Sequence, residues 1–166
     1  MTEARQFFET IAEQHKGILY KVARTYCPSE DERQDLIQEM LIQIWQSLHR
    51  YNHQFAISTW LYRIALNVAI SHHRKSSSRS RTFISLNDDL ATQADTDDTD
   101  KEQQLHLLEQ FISELNELDK ALMLLYLDDK PHREIADILG ISVSNVATRI
   151  GRIKDRLKLR FARQTF

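Results

Sequence analysis

At 166 residues, with a formal net charge of −2, 42% apolar residues and 28% charged ones, the chain has the make-up of a globular protein of one or two small domains. Three Gly and two Pro leave little room for tight β-turns and favour an all-α protein. No apolar run approaches a membrane span and the N-terminus MTEARQFFET lacks the apolar core of a signal peptide, so a cytoplasmic protein with no membrane insertion is expected. The lone Cys27 excludes an intrachain disulfide and a thiolate-rich zinc centre, and is expected to be a small buried hydrophobe.

Taken in chain order, an opening helix is expected over about Thr2 to Tyr26, ending before Cys27-Pro28 because the residue before proline is biased away from helix. A second helix opens at SEDE, where Ser29 and Glu32 can form a capping box. Within it Leu36, Ile37, Met40, Leu41, Ile44, Trp45 and Leu48 make a broad core-facing stripe. On its opposite face helical spacing collects Asp35, Gln38, Glu39, Ile42 and Gln46, an apolar centre in a ring of acids and amides that suits a partner-binding patch. The following loop holds Tyr51, Asn52, His53, Gln54 and Phe55. The third helix, about Ser58 to Lys75, carries a core stripe of Leu61, Ile64, Ala65 and Val68 and a second face of Arg63, Asn67, Ile70 and Arg74.

Charge divides the chain further: residues 1–50 carry −2, residues 51–81 carry +5 with no acid, residues 82–129 carry −11 and residues 130–166 carry +6. Basic side chains that track phosphates beside aromatic and amide groups that stack on and bond an unstacked base suit single-stranded nucleic acid, although Phe55, Trp60 and Tyr62 also fit a plain core role. The stretch from Leu86 to Gln104 is poor in large apolar residues and rich in Asp and Thr, so it reads as a flexible acidic linker. Two small helical domains, 1–81 and 105–166, then flank a linker at 82–104.

In the last quarter, Ile135, Ala136, Ile138 and Leu139 form an apolar stripe that Gly140 ends in a left-handed residue, and Ser142 is placed to N-cap the next helix. That helix repeats Val146, Ile150, Ile153 and Leu157 on one side and turns Ser144, Asn145, Thr148, Gly151 and Arg152 the other way, the layout of a helix-turn-helix. A plain αα-hairpin fits the pattern too, but nine Lys or Arg against three acids from Lys130 onward add the footprint of phosphate neutralisation. No nucleophile, base or metal constellation accompanies it. His49 and His53 have no carboxylate at ligand spacing, so no catalytic residue, metal or cofactor is expected.

The ordered set DLIQEMLIQIW, then STWLYRIALN followed by HHRK, an acidic stretch, and LNELDKALMLLYLDDKPHREIADILGISVSNVATRIGRIKDRLK resembles the extracytoplasmic-function group of bacterial RNA polymerase sigma factors, in the regions numbered two and four. The resemblance implies a non-enzymatic initiation factor that binds core polymerase, directs it to promoters and helps to melt them. It places Asp35, Gln38, Glu39, Ile42 and Gln46 against the β′ clamp-helix coiled coil. Contacts to the minus-ten element, with capture of a flipped base, fall to Asn52, His53, Gln54, Phe55, Trp60, Arg63, Asn67 and Arg74. Contacts to the minus-thirty-five element fall to Ser142, Ser144, Asn145, Thr148, Arg149 and Arg152. The β flap and an anti-sigma factor are further implied partners. The recognition helix departs from the family's G-T-V-K-S-R pattern with Ser144, Asn145, Val146, Ala147, Thr148 and Arg149, so Ala147 replaces a lysine expected on a phosphate, and the Asn145 amide is suited to adenine. A helix-turn-helix regulator acting on duplex DNA alone would need no docking face or aromatic loop, and a purely protein-binding helical chain would need no basic terminal module.

Overall fold

The computed structural model describes residues 2–80 and 100–164; most of the acidic segment and Arg81 lie outside these residues. All regular structure among the described residues is helical: α1 (Thr2–Gln14), α2 (Lys16–Tyr26), α3 (Glu30–Ser47), a 3-10 turn (Leu48–Arg50), α4 (Ile57–Ser80), α5 (Asp100–Ser113), α6 (Glu117–Leu127), α7 (His132–Leu139) and α8 (Val143–Gln164). None of the described helices is long and apolar enough to cross a membrane.

The first half is a bundle in which α2 and α3 both pack on α4. Leu19, Val22, Ala23 and Tyr26 of α2, Leu36, Met40 and Ile44 of α3, and Leu61, Tyr62, Ala65, Leu66 and Ala69 of α4 fill it. The expected single opening helix is instead two, broken at His15 (φ −118°, ψ 18°), where the Ile18 amide donates to the His15 carbonyl at 3.0 Å. Gly17, a poor helix former, sits in the first turn beyond the break. Ser29 does precede α3, but its side chain makes no capping hydrogen bond, so the expected capping box with Glu32 is absent. The corner between α2 and α3 is closed by Arg33, whose guanidinium donates to the carbonyls of Cys27 (2.7 Å) and Pro28 (2.9 Å). Cys27 is buried as expected.

Two stripes differ from their expected membership. Trp45 is 46% exposed and meets Phe8 of α1 edge-on at 5.3 Å, so it lies at the rim of the core. On α4 the buried set is wider than Leu61 and Ala65 and includes Tyr62, Leu66 and Ala69, while Ile64 and Val68 are half-buried. The cause is tertiary: α4 is covered on a second side by α7.

The second half packs α8 against α6 and α7 around Ala121, Leu122, Leu125, Ile135, Ile138, Val146, Ile150 and Ile153. Its first helix, α5, begins at Asp100, so residues 100–104 of the stretch expected to be linker are helical. The buried residues of the two halves form one contiguous cluster. Polar contacts line the seam. The Tyr26 hydroxyl donates to the Glu117 carbonyl at 2.7 Å, and Arg74 pairs with the Glu117 carboxylate at 2.7 Å. Asp128 accepts from Tyr62 at 2.6 Å and pairs with Lys21.

Candidate polymerase and promoter surfaces

Three surfaces carry the residues singled out in the sequence. On α3, Asp35, Gln38, Glu39, Ile42 and Gln46 are all exposed, and Ile42 presents 53% of its surface to solvent. The helix turns this face outward because Leu36, Met40 and Ile44 hold its other side in the bundle. Trp45 and Ile42 together give the face two exposed apolar side chains within one turn, a larger apolar centre than periodicity alone indicates.

The second surface is the loop before α4. It is internally tied: the Tyr51 hydroxyl donates to the Phe55 carbonyl at 2.9 Å, and the Asn52 side-chain oxygen accepts from the Gln54 amide at 3.0 Å. His53 sits at φ 63°, a left-handed turn residue, with its ring 4.5 Å from that of Tyr51. Tyr51 also packs on Trp60 at 5.0 Å, and the Arg63 guanidinium lies over the Phe55 ring at 4.2 Å. Tyr62 is core and Trp60 packs against the core, in keeping with the plain reading for those two aromatics. Asn52, His53, Gln54 and Asn67 remain exposed.

Arg63 and Arg74, however, are engaged within the chain. Arg63 donates to the Asp137 carbonyl at the end of α7, and Arg74 pairs with Glu117. Beside them Thr59 donates to Glu134 at 3.4 Å. At the centre of this seam the Asp128 carboxyl is pushed up by burial, but the hydrogen bonds from Lys21 and Tyr62 outweigh that and hold it below the usual carboxylate range. Burial and the hydrogen bond to Asp128 push the Tyr62 hydroxyl well up, so it stays a donor.

The third surface is the helix-turn-helix. Gly140 ends α7 at φ 71°, and the amides of Gly140 and Ile141 both return to the Ala136 carbonyl, at 2.8 and 3.2 Å. The Ser142 hydroxyl accepts from the Asn145 amide at 3.0 Å, which caps α8 as expected and occupies one of its lone pairs. Val146, Ile150 and Ile153 are buried, and Ser144, Thr148 and Arg152 face solvent. Arg149 behaves differently from Arg152: it lies half-buried between the Asn145 side-chain oxygen and the Asp119 carboxylate, both at 3.3 Å. Arg149, next to Ile150 in sequence and three residues beyond Val146, lies on the flank of the core stripe, and nothing in local spacing points to Asp119, its partner on α6. Ala147 is exposed.

A helix-turn-helix with a basic, solvent-facing second helix, joined to a second helical bundle, has the layout of a DNA-binding transcription factor. Family models agree in both halves: sigma-70 region 2 matches residues 11–79 and sigma-70 region 4 matches residues 105–157. The chain belongs to the sigma-70 family, in its extracytoplasmic-function group, whose members direct RNA polymerase to promoters and are not enzymes. The ECF RNA polymerase sigma factor SigM of Bacillus subtilis is 24% identical over 163 residues, covering 93% of this chain and 95% of its own. The RNA polymerase sigma factor CnrH of Cupriavidus metallidurans is 29% identical, with 92% and 85% covered. In three dimensions the chain is similar to CnrH in complex with the cytosolic domain of CnrY, at a TM-score of 0.70 and 19% identity over 96% of this chain and 90% of that one. It is also similar to the sigma factor RpoE of Bartonella quintana, solved with the anti-sigma factor NepR, at a TM-score of 0.64 and 17% identity over 98% of each chain.

Proposed function

We propose that the outer face of α3, namely Asp35, Gln38, Glu39, Ile42 and Gln46 with Trp45 at its rim, docks on the β′ clamp helices of core polymerase. The half-exposed Ile42 in its polar ring is the observation that carries this reading, because burying an isolated apolar centre on a partner is favourable while the ring around it sets orientation. Residues 1–81 act as the unit for docking and the minus-ten element, 82–104 as the connection, and 105–166 as the unit for the minus-thirty-five element and the β flap. Asn52, His53, Gln54 and Asn67 hold an extruded base while Arg63 and Arg74 follow the backbone, with Phe55 and Trp60 shaping the pocket wall. Unstacking costs a few kcal/mol per base, which these contacts offset.

On α8, Ser144, Asn145, Thr148 and Arg152 meet base edges and phosphates, and Ser142, which caps the helix and shares a hydrogen bond with the Ser144 hydroxyl, adds a contact beside them. Arg149 acts mainly as a brace to Asp119 and reaches DNA only if that pair opens. Reading both elements at once requires the two halves to part. Elements named for positions ten and thirty-five are about 25 base pairs apart, roughly 85 Å along a duplex, whereas Arg63 and Asp137 are in hydrogen-bond contact. The free chain therefore sits in a closed form that ties Arg63 to α7 and pairs Arg74, still largely exposed, with Glu117. That two similar solved structures are complexes, one of them with an anti-sigma factor, supports a partner of that kind for this chain, acting in the cytoplasm. Replacing Asn52, Gln54 and Asn67 together by Ala tests the melting role. Permanganate-reactive thymines at the start site should fall while core binding persists, and a pre-melted template should restore part of the loss; unchanged opening makes the loop purely structural.

A further inference from the structure

Where α2, α3 and α4 converge beside the N-terminal end of the docking face, three residues of different chemistry meet. Cys27 Sγ, a carboxylate oxygen of Glu32 and a ring nitrogen of His72 all lie within 4.8 Å of one another. Cys27 follows the last turn of α2, Glu32 stands in the first turn of α3, and His72 comes from the far half of α4. Cys27 forms a buried floor, His72 is half-buried, and Glu32 is exposed, so the cluster opens to solvent on one side. His72 Nδ1 is also 3.9 Å from the Glu39 carboxylate.

We propose that Cys27, Glu32 and His72 form a binding site for a borderline-soft divalent transition metal of the zinc class. Sulfur, imidazole nitrogen and carboxylate oxygen together are the donor set of such ions, and a thiolate ligand selects against Mg²⁺ and Ca²⁺. Tetrahedral bonds of ~2.0–2.3 Å place ligand atoms ~3.3–3.8 Å apart. Closing from 4.8 Å or less to that spacing is a shift of at most ~1.5 Å, which the exposed Glu32 and half-buried His72 side chains are free to supply by rotation. The charges match as well. A thiolate and a carboxylate balance the +2 ion, the neutral imidazole completes three protein ligands, and water fills the fourth position.

Binding replaces the Cys27 S–H bond with an S–metal bond and releases one proton to solvent. Without an ion, burial together with the nearby Glu32 and Glu39 carboxylates keeps the thiol protonated, and its pKa is raised. A divalent cation reverses that balance, since it offsets the very acidic groups that disfavour the thiolate. Binding through Nε2 would leave Nδ1, 3.9 Å from the Glu39 carboxylate, to close on it in the carboxylate–histidine–metal arrangement that orients a ligand ring. A bound ion therefore ties α2, α3 and α4 together beside Glu39, at one end of the face that carries Ile42.

The test uses the full chain stripped with a chelator and titrated with Co²⁺ and Zn²⁺. One equivalent of Co²⁺ should bind with a thiolate charge-transfer band in the near ultraviolet and the visible bands of a four-coordinate site, and Zn²⁺ should displace it. Mg²⁺ should do neither. Zn²⁺ at about 100 times its Kd should raise the melting midpoint by ~5–10 °C. Cys27→Ser should remove the charge-transfer band; because Cys27 is buried, the exposed-side variants Glu32→Gln and His72→Gln serve as the folding-safe pair, each expected to weaken Zn²⁺ at least tenfold while His106→Gln on α5 leaves it unchanged. The proposal is overturned if no saturable binding occurs, if bound Co²⁺ shows no thiolate band, or if Glu32→Gln and His72→Gln bind as tightly as the parent.

Discussion

Removing one carboxylate should open the closed form. Asp128 accepts a 2.6 Å hydrogen bond from Tyr62, a residue with no exposed surface, and pairs with Lys21, whose side chain is half-exposed. A hydrogen bond to a charged group contributes ~1.5–3 kcal/mol, and the Lys21 pair, open to solvent, adds at most ~1 kcal/mol. Asp128→Ala should therefore destabilise closure by ~2–3 kcal/mol, a ~30–150-fold shift toward the open form. Because half-buried Arg63 is committed to Asp137 when closed, while the exposed Arg74–Glu117 pair is weak, affinity for a single-stranded minus-ten oligonucleotide should rise with the fraction open, mainly through Arg63. The α8 face is exposed in either form, so affinity for minus-thirty-five duplex should change less than about twofold on that scale. Fluorescence anisotropy on the two probes, with the radius of gyration from small-angle scattering, reads both outcomes. The same equilibrium responds to pH. Asp128 sits below its ordinary range only when closed, so its contribution is fully present above about pH 4 and is lost as pH falls through the lowered value. Equal single-strand affinity and an unchanged radius in Asp128→Ala would refute the clasp.

Further outcomes follow from single side chains. Ile42→Lys should leave the unfolding free energy within about 1 kcal/mol of the parent, since Ile42 is 53% exposed, yet weaken core polymerase binding; an unfolded variant, or one that binds core as tightly, contradicts the docking face. Asn145→Ala should relax preference at one base position by about 1–3 kcal/mol, whereas Arg152→Ala should weaken all sequences and lower the salt slope. Binding to a randomised upstream element separates these effects, and no change in either variant would remove α8 from DNA recognition. Ser142→Ala deletes the cap on the Asn145 amide and should cost about 1 kcal/mol in chemical denaturation.

What could be read from the residues is what depends on near neighbours. Gly140 and Ser142 mark the turn because a left-handed residue and a side-chain cap are local demands, and both stand as expected. The outward face of α3 was legible because helical periodicity separates Ile42 from Leu36, Met40 and Ile44. Contacts across long stretches of sequence carry no such signal. Nothing near Arg63 announces that Asp137 will accept from it, nor does anything near Arg149 point to Asp119. The same holds for Glu32, which fits a capping box by local spacing but stands in space beside Cys27 and His72. The break at His15 was hidden because both sides of it are helical and apolar residues continue through it.

Transcription reconstituted from purified parts bears most directly on the central claim that this chain directs core polymerase to promoters. Core RNA polymerase free of other sigma factors, supplied with a library of duplex promoter sequences, should make specific run-off transcripts only when this chain is added. Selected templates should share one upstream and one downstream element at a fixed spacing, and Ile42→Lys should abolish their use. Specific duplex binding by the chain alone, with no transcripts from core polymerase on any template, would contradict the account and leave a regulator in place of an initiation factor.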